Sequence, residues 1–202
     1  MNKIEMTIKN YEKLAKEYYK NHNDISNIKE FIEFFAKNIK GNKILDIGCG
    51  PGRDANYFHK MGFNVTGIDL TSNFIKMASE NFSEITFKIK DMRTLTDFPE
   101  NYYDGLWVNA SFLHIPKEEG KKTLSGFNRI LKNNGIIYIS VKEGNEEKII
   151  SKEEYKGGKK FFAFYEEEEI VKIIESCNFK VLKIITTETK KDKWLNIFAI
   201  KK

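Results

Sequence analysis

The chain has 202 residues, 41% of them apolar and 31% charged, a balance that suits one well-buried soluble domain and is too short for two comfortable ones. Its net charge of +5 comes from lysines scattered among acidic neighbours, so nucleic acid is not the expected partner, and no apolar run approaches the roughly 18 residues of a membrane span. The first six residues lack the apolar core of a signal peptide, which makes the cytoplasm the expected location, and Cys49 and Cys177 lie far apart without metal-ligand spacing, against both a disulfide framework and a metal site.

Apolar residues recur at helical spacing in Tyr11, Leu14, Ala15 and Tyr18, and again in Ile28, Phe31, Ile32, Phe35 and Ile39. The pattern predicts two amphipathic helices, the second capped by Asp24 or Ser26 and closed by Gly41. Ile44, Leu45 and Ile47 then form a short buried strand, and Gly48, Gly50 and Gly52 follow at alternate positions before a helix over residues 53–61. Glycine at such a bend removes side chains and lets a ligand lie against the main chain. Cys49 fits inside the loop because its side chain is small. A dinucleotide fingerprint would need its third glycine at position 53, where Arg53 stands, so an NAD-binding oxidoreductase loses its support.

Residues 63–68 read as a second strand ending at Asp69, which makes a strand, helix, strand unit with a right-handed crossover. Asp69 stands nineteen positions beyond Gly50, where nucleoside-binding units place the carboxylate that meets ribose hydroxyls. Thr71 or Ser72 is the natural N-cap of the next helix, over residues 74–82. A third strand over 85–89 leads to Asp91 and Met92, and a fourth over 106–110 runs into Ser111, Phe112, Leu113 and His114. Ligands bind beyond the carboxyl ends of parallel strands, so residues 109–114 border the predicted site. A helix over 117–131, a turn at Asn133, Asn134 and Gly135, and a fifth strand over 136–141 follow. The segment 155–165 changes character, and a helix over 166–177 and two strands over 179–187 and 193–200 finish the chain as an antiparallel pair.

The pattern Asp46-x-Gly48-x-Gly50-x-Gly52, with Asp69 at its spacing and the run from Ala110 to Pro116, resembles the class I S-adenosylmethionine-dependent methyltransferases. The likeness covers about residues 11–200 and is similar to the small-molecule and tellurite-resistance-like branches. It implies an α/β, three-layer Rossmann-like fold with a seven-stranded, mostly parallel sheet in the order 3-2-1-4-5-7-6, strand 7 antiparallel, preceded by two helices. It further implies one domain over residues 1–202, with residues 1–40 as a helical lid region, and S-adenosyl-L-methionine as cofactor, released as S-adenosyl-L-homocysteine.

The cofactor-binding set implied by the resemblance is Asp46, Gly48, Cys49, Gly50, Gly52, Arg53, Asp69, Leu70, Asp91, Met92 and Asn109, with Tyr18 or Tyr11 folded over from the lid. In this set the glycine loop and the positive end of the helix at Arg53 take the carboxylate, Asp46 and Asn109 the amine side, Asp69 the ribose, and Asp91 with Met92 the adenine. His114 is the candidate base, and Tyr19, Phe112, His114 and Tyr165, with Phe162, wall the acceptor pocket. Methyl transfer is a direct displacement that needs alignment and a dry pocket more than an elaborate catalytic set, and no metal. The residues at 109–112, Asn-Ala-Ser-Phe, lack the prolines of the base-methylating motif Asn/Asp-Pro-Pro-Tyr/Phe. A small-molecule acceptor is therefore expected over the alternatives, an RNA or protein methyltransferase and a noncatalytic S-adenosylmethionine-binding protein.

Overall fold

The computed structural model describes residues 2–202. Helix α1 (Lys3–Asn21) opens on a capping box in which the Asn2 side chain accepts the Ile4 amide at 2.9 Å and Glu5 accepts the Asn2 amide at 3.2 Å. Helix α2 (Lys29–Asn38) starts without a side-chain cap. Asp24 instead closes a turn on the amide and hydroxyl of Ser26, at 2.9 and 2.6 Å, so neither expected residue caps this helix. Nor does Gly41 close it, since the chain is already extended at Ile39; Gly41 lies against Asp104, whose carboxylate accepts the Asn42 and Lys43 amides.

The strands alternate with helices in the order β1 (Lys43–Ile47), α3 (Arg53–Lys60), β2 (Asn64–Asp69), α4 (Ser72–Asn81), β3 (Thr86–Ile89), β4 (Tyr103–Val108), α5 (Lys117–Ile130), β5 (Leu131–Lys142), β6 (Glu147–Ser151), β7 (Lys159–Ala163), α6 (Glu167–Ser176), β8 (Phe179–Glu188) and β9 (Lys193–Lys201). Seven of them form one sheet, β3-β2-β1-β4-β5-β9-β8, which is the expected 3-2-1-4-5-7-6 order when only its members are counted. β1 to β5 run parallel, and β9 is antiparallel to both of its neighbours. Between β4 and β5 the pairing passes from Tyr103 with Leu131 to Gly105 with Ile136. The predicted turn at residues 133–135 is therefore a bulge near the start of β5, with Asn134 at φ 60°.

Successive side chains point to opposite faces of a strand, and the two cores follow that alternation. Leu45, Ile47, Leu106 and Val108 join α5 and α6, through Leu124, Phe127, Ile170 and Ile174, on one face. Ile44 and Trp107 join α2 and α3, through Phe31, Ile32, Phe35 and Phe58, on the other, where Trp107 stacks on Tyr138 with ring centroids 4.0 Å apart. Within residues 1–40, α2 thus belongs to the sheet's packed layers and α1 alone crosses the glycine loop.

The segment between β5 and α6 holds the hairpin β6–β7, which pairs outside the main sheet. Its second strand packs on α1: Thr7 Oγ1 accepts the Phe161 amide at 2.9 Å, and Asn10 Nδ2 donates to the Tyr155 carbonyl at 3.0 Å. At its other face α1 supplies the cap of α4. Glu12 accepts from the Ser72 amide and hydroxyl and from the Asn73 amide, the last at 3.0 Å, so the cap comes from across the cleft in place of Thr71 or Ser72. Among the described residues no helix is long and apolar enough to cross a membrane.

Candidate active site

At the carboxyl end of β1 the chain turns back on itself, and the Gly48 and Cys49 amides donate to the Ile68 carbonyl at 2.8 and 3.0 Å. The three glycines of the loop all have positive φ, yet they serve different neighbours. A Cβ at Gly48 would strike Ser111, whose hydroxyl donates to the Ile47 carbonyl at 2.6 Å, and one at Gly52 would come within 2.9 Å of Phe87 and 3.1 Å of Ala78. At Gly50 the nearest atom is Tyr18 Cε1, 3.9 Å away. The space above Gly50 is the cleft itself.

Acidic side chains ring this space. Asp69 spans the loop: one carboxylate oxygen accepts the Gly50 amide at 3.0 Å, the other the Thr71 amide at 2.7 Å. Burial raises its carboxyl above the ordinary range, while the two amides pull it down. Asp54 is fully engaged, accepting from Trp107 Nε1 and Asn109 Nδ2 at 2.9 Å each and from Arg53 Nε at 2.6 Å. Asp46, beside it, is 2% exposed and has one oxygen without a partner. Burial pushes the Asp46 carboxyl well up, and the Asp54 charge adds to the rise. The Arg53 guanidinium also donates to the His22 and Asp24 carbonyls at 3.1 Å, tying the end of α1 to the loop. Asp91 is held by Arg93, which donates to it through Nε and through Nη2 at 2.6 Å.

Helix α1 covers the cleft with two tyrosines. Tyr18 stacks on His22 at 4.0 Å and meets Tyr11 edge to face at 5.6 Å. Burial lifts both phenols, Tyr18 to about 12, so each keeps its proton. The Tyr11 hydroxyl stands 3.0 Å from His114 Nε2, and His114 Nδ1 stands 2.7 Å from the Phe161 carbonyl. A carbonyl only accepts, so Nδ1 carries the hydrogen and Nε2 accepts from Tyr11. Burial lowers the His114 pKa to about 4, with the Lys160 and Lys142 charges acting the same way, and the imidazole is neutral.

Two adjoining cavities meet over Gly48 and Gly50 and share Tyr11, Tyr18, Asn109, Ala110 and His114. The first extends along Asp69, Leu70, Asp91 and Met92. The second takes in Asp46, Cys49, Arg53, Lys142, Lys160 and Phe162. Of the residues predicted for the site, Gly52, Tyr19, Phe112 and Tyr165 line neither. Gly52 packs on Phe87 and α4, and Tyr19 is half-buried in α1. Phe112 and Tyr165 are fully buried in the core, ring to ring at 6.0 Å; the sequence placed them near the cleft and the backbone turned their side chains inward. Asp54, Phe74 and Lys160 are among the lining residues that the predicted set left out. Both cysteines are free, and among the described residues no cluster of three metal-ligating side chains occurs.

A methyltransferase-domain family profile matches residues 44–135, from β1 into β5. The chain is 31% identical over 179 residues to phosphoethanolamine N-methyltransferase of Plasmodium falciparum (isolate 3D7), covering 86% of this chain and 66% of that one. It is 32% identical over 136 residues to phosphoethanolamine N-methyltransferase 1 of Zea mays, covering 64% of this chain and 26% of that one. The chain thus spans just under two thirds of the first relative and about a quarter of the second. Among solved structures it is similar in fold, with a TM-score of 0.73 and 19% identity over 96% of this chain and 88% of the other, to Burkholderia thailandensis 1,6-didemethyltoxoflavin-N1-methyltransferase with bound 1,6-didemethyltoxoflavin and S-adenosylhomocysteine.

Proposed function

We propose that the chain is a class I S-adenosylmethionine-dependent methyltransferase and that it transfers a methyl group from S-adenosylmethionine to a small-molecule acceptor by direct displacement, a reading supported by the methyltransferase-domain match and by the similarity to methyltransferases. Residues 1–202 act in this reading as one methyltransferase domain, with α1 as the cover of its cleft. The observation that carries the reading is the open space above Gly50, where a side chain would stand in the cleft and meet no protein atom closer than 3.9 Å. The unpartnered Asp46 oxygen beside it fits the same ligand, because a buried acceptor without a donor suits an ammonium group.

The residues divide the cofactor between them. The amides at the positive end of α3 receive the carboxylate, because those of Gly48, Cys49, Gly50 and Gly52 are engaged by Ile68, Asp69 and Cys49; Asp46 and Asn109 hold the amine side, and Tyr18 closes over it. Asp69 receives the ribose hydroxyls: each of its oxygens already accepts one amide and retains a lone pair for a second donor. Leu70 and Met92 bound the base. Arg93 occupies much of Asp91, so this carboxylate acts on the adenine side with the acceptor capacity that Arg93 leaves. When bound, S-adenosylmethionine supplies an electrophilic methyl group on a sulfonium.

His114 is the base of the proposal. The Phe161 carbonyl fixes the Nδ1 hydrogen, so Nε2 faces the cleft as the acceptor, with Tyr11 as its hydrogen-bond partner. An acceptor amine or hydroxyl that displaces the Tyr11 hydroxyl would give its proton to Nε2. Positioning can supply roughly 7–11 kcal/mol of such a reaction's acceleration when reacting atoms are held near contact.

The test is calorimetric titration with S-adenosylmethionine and NAD side by side, followed by a screen of amines, thiols and hydroxyls for S-adenosylhomocysteine. Saturable binding of S-adenosylmethionine with product formed from a small acceptor is the expected result. Binding of NAD alone would overturn the reading.

A further inference from the structure

Three lysines are buried, and two of them have polar partners. Lys142 pairs with Asp192 at 2.8 Å, and Lys201 donates to Asn101 Oδ1, the Asn128 carbonyl and the Leu131 carbonyl at 2.8 to 2.9 Å. Lys160, in β7, is 6% exposed, and its ammonium makes no hydrogen bond or ion pair among the described residues. Its ammonium stands over aromatic faces, 3.7 Å from the Tyr11 centroid, 4.4 Å from Tyr155 and 6.0 Å from Tyr18. Ring faces attract a cation yet leave its three hydrogens without an acceptor. A buried charge in that condition is costly unless a counter-charge completes it.

We propose that the methyl acceptor carries an anionic group, phosphate or carboxylate, that docks on the Lys160 ammonium while its nucleophile reaches His114 Nε2. The proposal rests on the methyl-transfer reading of this cleft and names its substrate class. Lys160 and His114 line the same cavity and are joined through one ring, since Tyr11 presents its face to Lys160 and its hydroxyl to His114. Lys160 also precedes Phe161, whose carbonyl fixes His114 and whose amide is held by Thr7, so ammonium and base have a set spacing. From β5 to the β8–β9 turn the cavity wall carries five lysines, Lys142, Lys152, Lys160, Lys190 and Lys191, against two carboxylates, Glu154 and Asp192. Those carboxylates are already spent: Asp192 on Lys142, and Glu154 on Lys152 and Lys191 at 3.8 and 3.6 Å. Around Lys160 the cavity wall is therefore cationic and suits an anionic group, whereas Glu17, Asp24, Asp46 and Asp54 line its other parts with Arg53.

The experiment uses the full chain and pairs of amines differing in the anion: ethanolamine against phosphoethanolamine, and propylamine against β-alanine. The phosphate and carboxylate arms separate the two sources of charge. The expected result is a preference for at least one anionic member of a pair, and a ratio of anionic to neutral kcat/KM that falls on the order of 10- to 100-fold in Lys160→Met, the worth of a charged hydrogen bond, with partial rescue in Lys160→Arg. Neutral acceptors turned over as well as anionic ones in the wild type, or an unchanged ratio in Lys160→Met, would overturn the proposal. Titration of inorganic phosphate into the wild type and Lys160→Met decides the point without turnover: affinity lost with the lysine supports it, equal affinity or no binding to either refutes it. Failure of S-adenosylmethionine to bind either protein would instead strike the methyl-transfer reading, which the phosphate titration leaves untouched.

Discussion

Gly50→Ala adds one methyl group at a residue whose φ is +53°, in a position with no protein atom closer than 3.9 Å. The left-handed backbone costs an L-residue roughly 1–2 kcal/mol, and the smaller entropy of the unfolded alanine chain offsets roughly 0.4–1 kcal/mol of that. The variant is therefore expected to fold with a net loss of about 1 kcal/mol. Its methyl group occupies the volume where a ligand would touch the main chain, and overpacking of this kind costs about 1–3 kcal/mol, or roughly 5- to 150-fold in Kd for S-adenosylmethionine. Gly48→Ala and Gly52→Ala make the contrast, because their added atoms meet Ser111 in one case and Phe87 and Ala78 in the other. Both should lose more stability than Gly50→Ala. Urea unfolding and calorimetric titration of the three variants check this. Wild-type affinity in Gly50→Ala, or a stability loss there equal to that of Gly48→Ala, would refute the assignment of the space above Gly50 to a ligand.

Asp69→Ala should weaken S-adenosylmethionine binding by roughly 1–3 kcal/mol by calorimetry, the range for a lost charged hydrogen bond, and lower stability as well because it frees the Gly50 and Thr71 amides. His114 has its pKa lowered to about 4 from 6.5, so between those values the unfolded chain binds a proton that the folded chain refuses. Stability is then full above pH 6.5 and falls as pH drops toward 4, by up to about 3 kcal/mol, and this part of the loss should be missing when unfolding of His114→Gln is compared with wild type across the window. Lys160, lowered to about 8 from 10.5 by burial, carries a penalty that is present in full below pH 8 and fades as pH rises to 10.5. Lys160→Met should accordingly be more stable than wild type at pH 7, by roughly 1–3 kcal/mol in urea unfolding, and a loss of stability would show that the charge is compensated in the free protein. Glu12→Ala should cost roughly 0.5–2 kcal/mol of stability, the value of a helix cap, although Glu12 lies 60 residues from the helix it caps.

Much of the sheet is legible in the sequence because its strands are short apolar runs with sharp ends. β1 stops at Gly48 and β2 at Asp69, and both termini are also parts of the cleft, so one signal locates the fold and the site together. The hairpin β6–β7 escapes such a reading. Its first strand, Glu-Lys-Ile-Ile-Ser, is almost wholly exposed apart from Ile150, and its partner pairs outside the main sheet, so neither alternation nor continuity marks it. Side-chain direction is the other blind spot. Phe112 stands two residues from His114 in sequence and points into the core beside Tyr165, a choice made by the 3-10 turn at residues 112–114. Lys160 reads as one more surface lysine until α1 lays Tyr11 and Tyr18 across it. Beside the nearby Tyr155, its cover comes from α1 at the far end of the chain, and no local pattern records such contacts.

The bond between Glu12 and the start of α4 bears on any attempt to study α1 by deleting it. A shortened chain would release the Ser72 and Asn73 amides from their acceptor, leave the Phe161 amide without Thr7, and open the lysine at position 160 to water. Its floor and walls would soften along with the missing roof. The first helix is a tie beam of this building, and a door can be judged only while the beam stays in place.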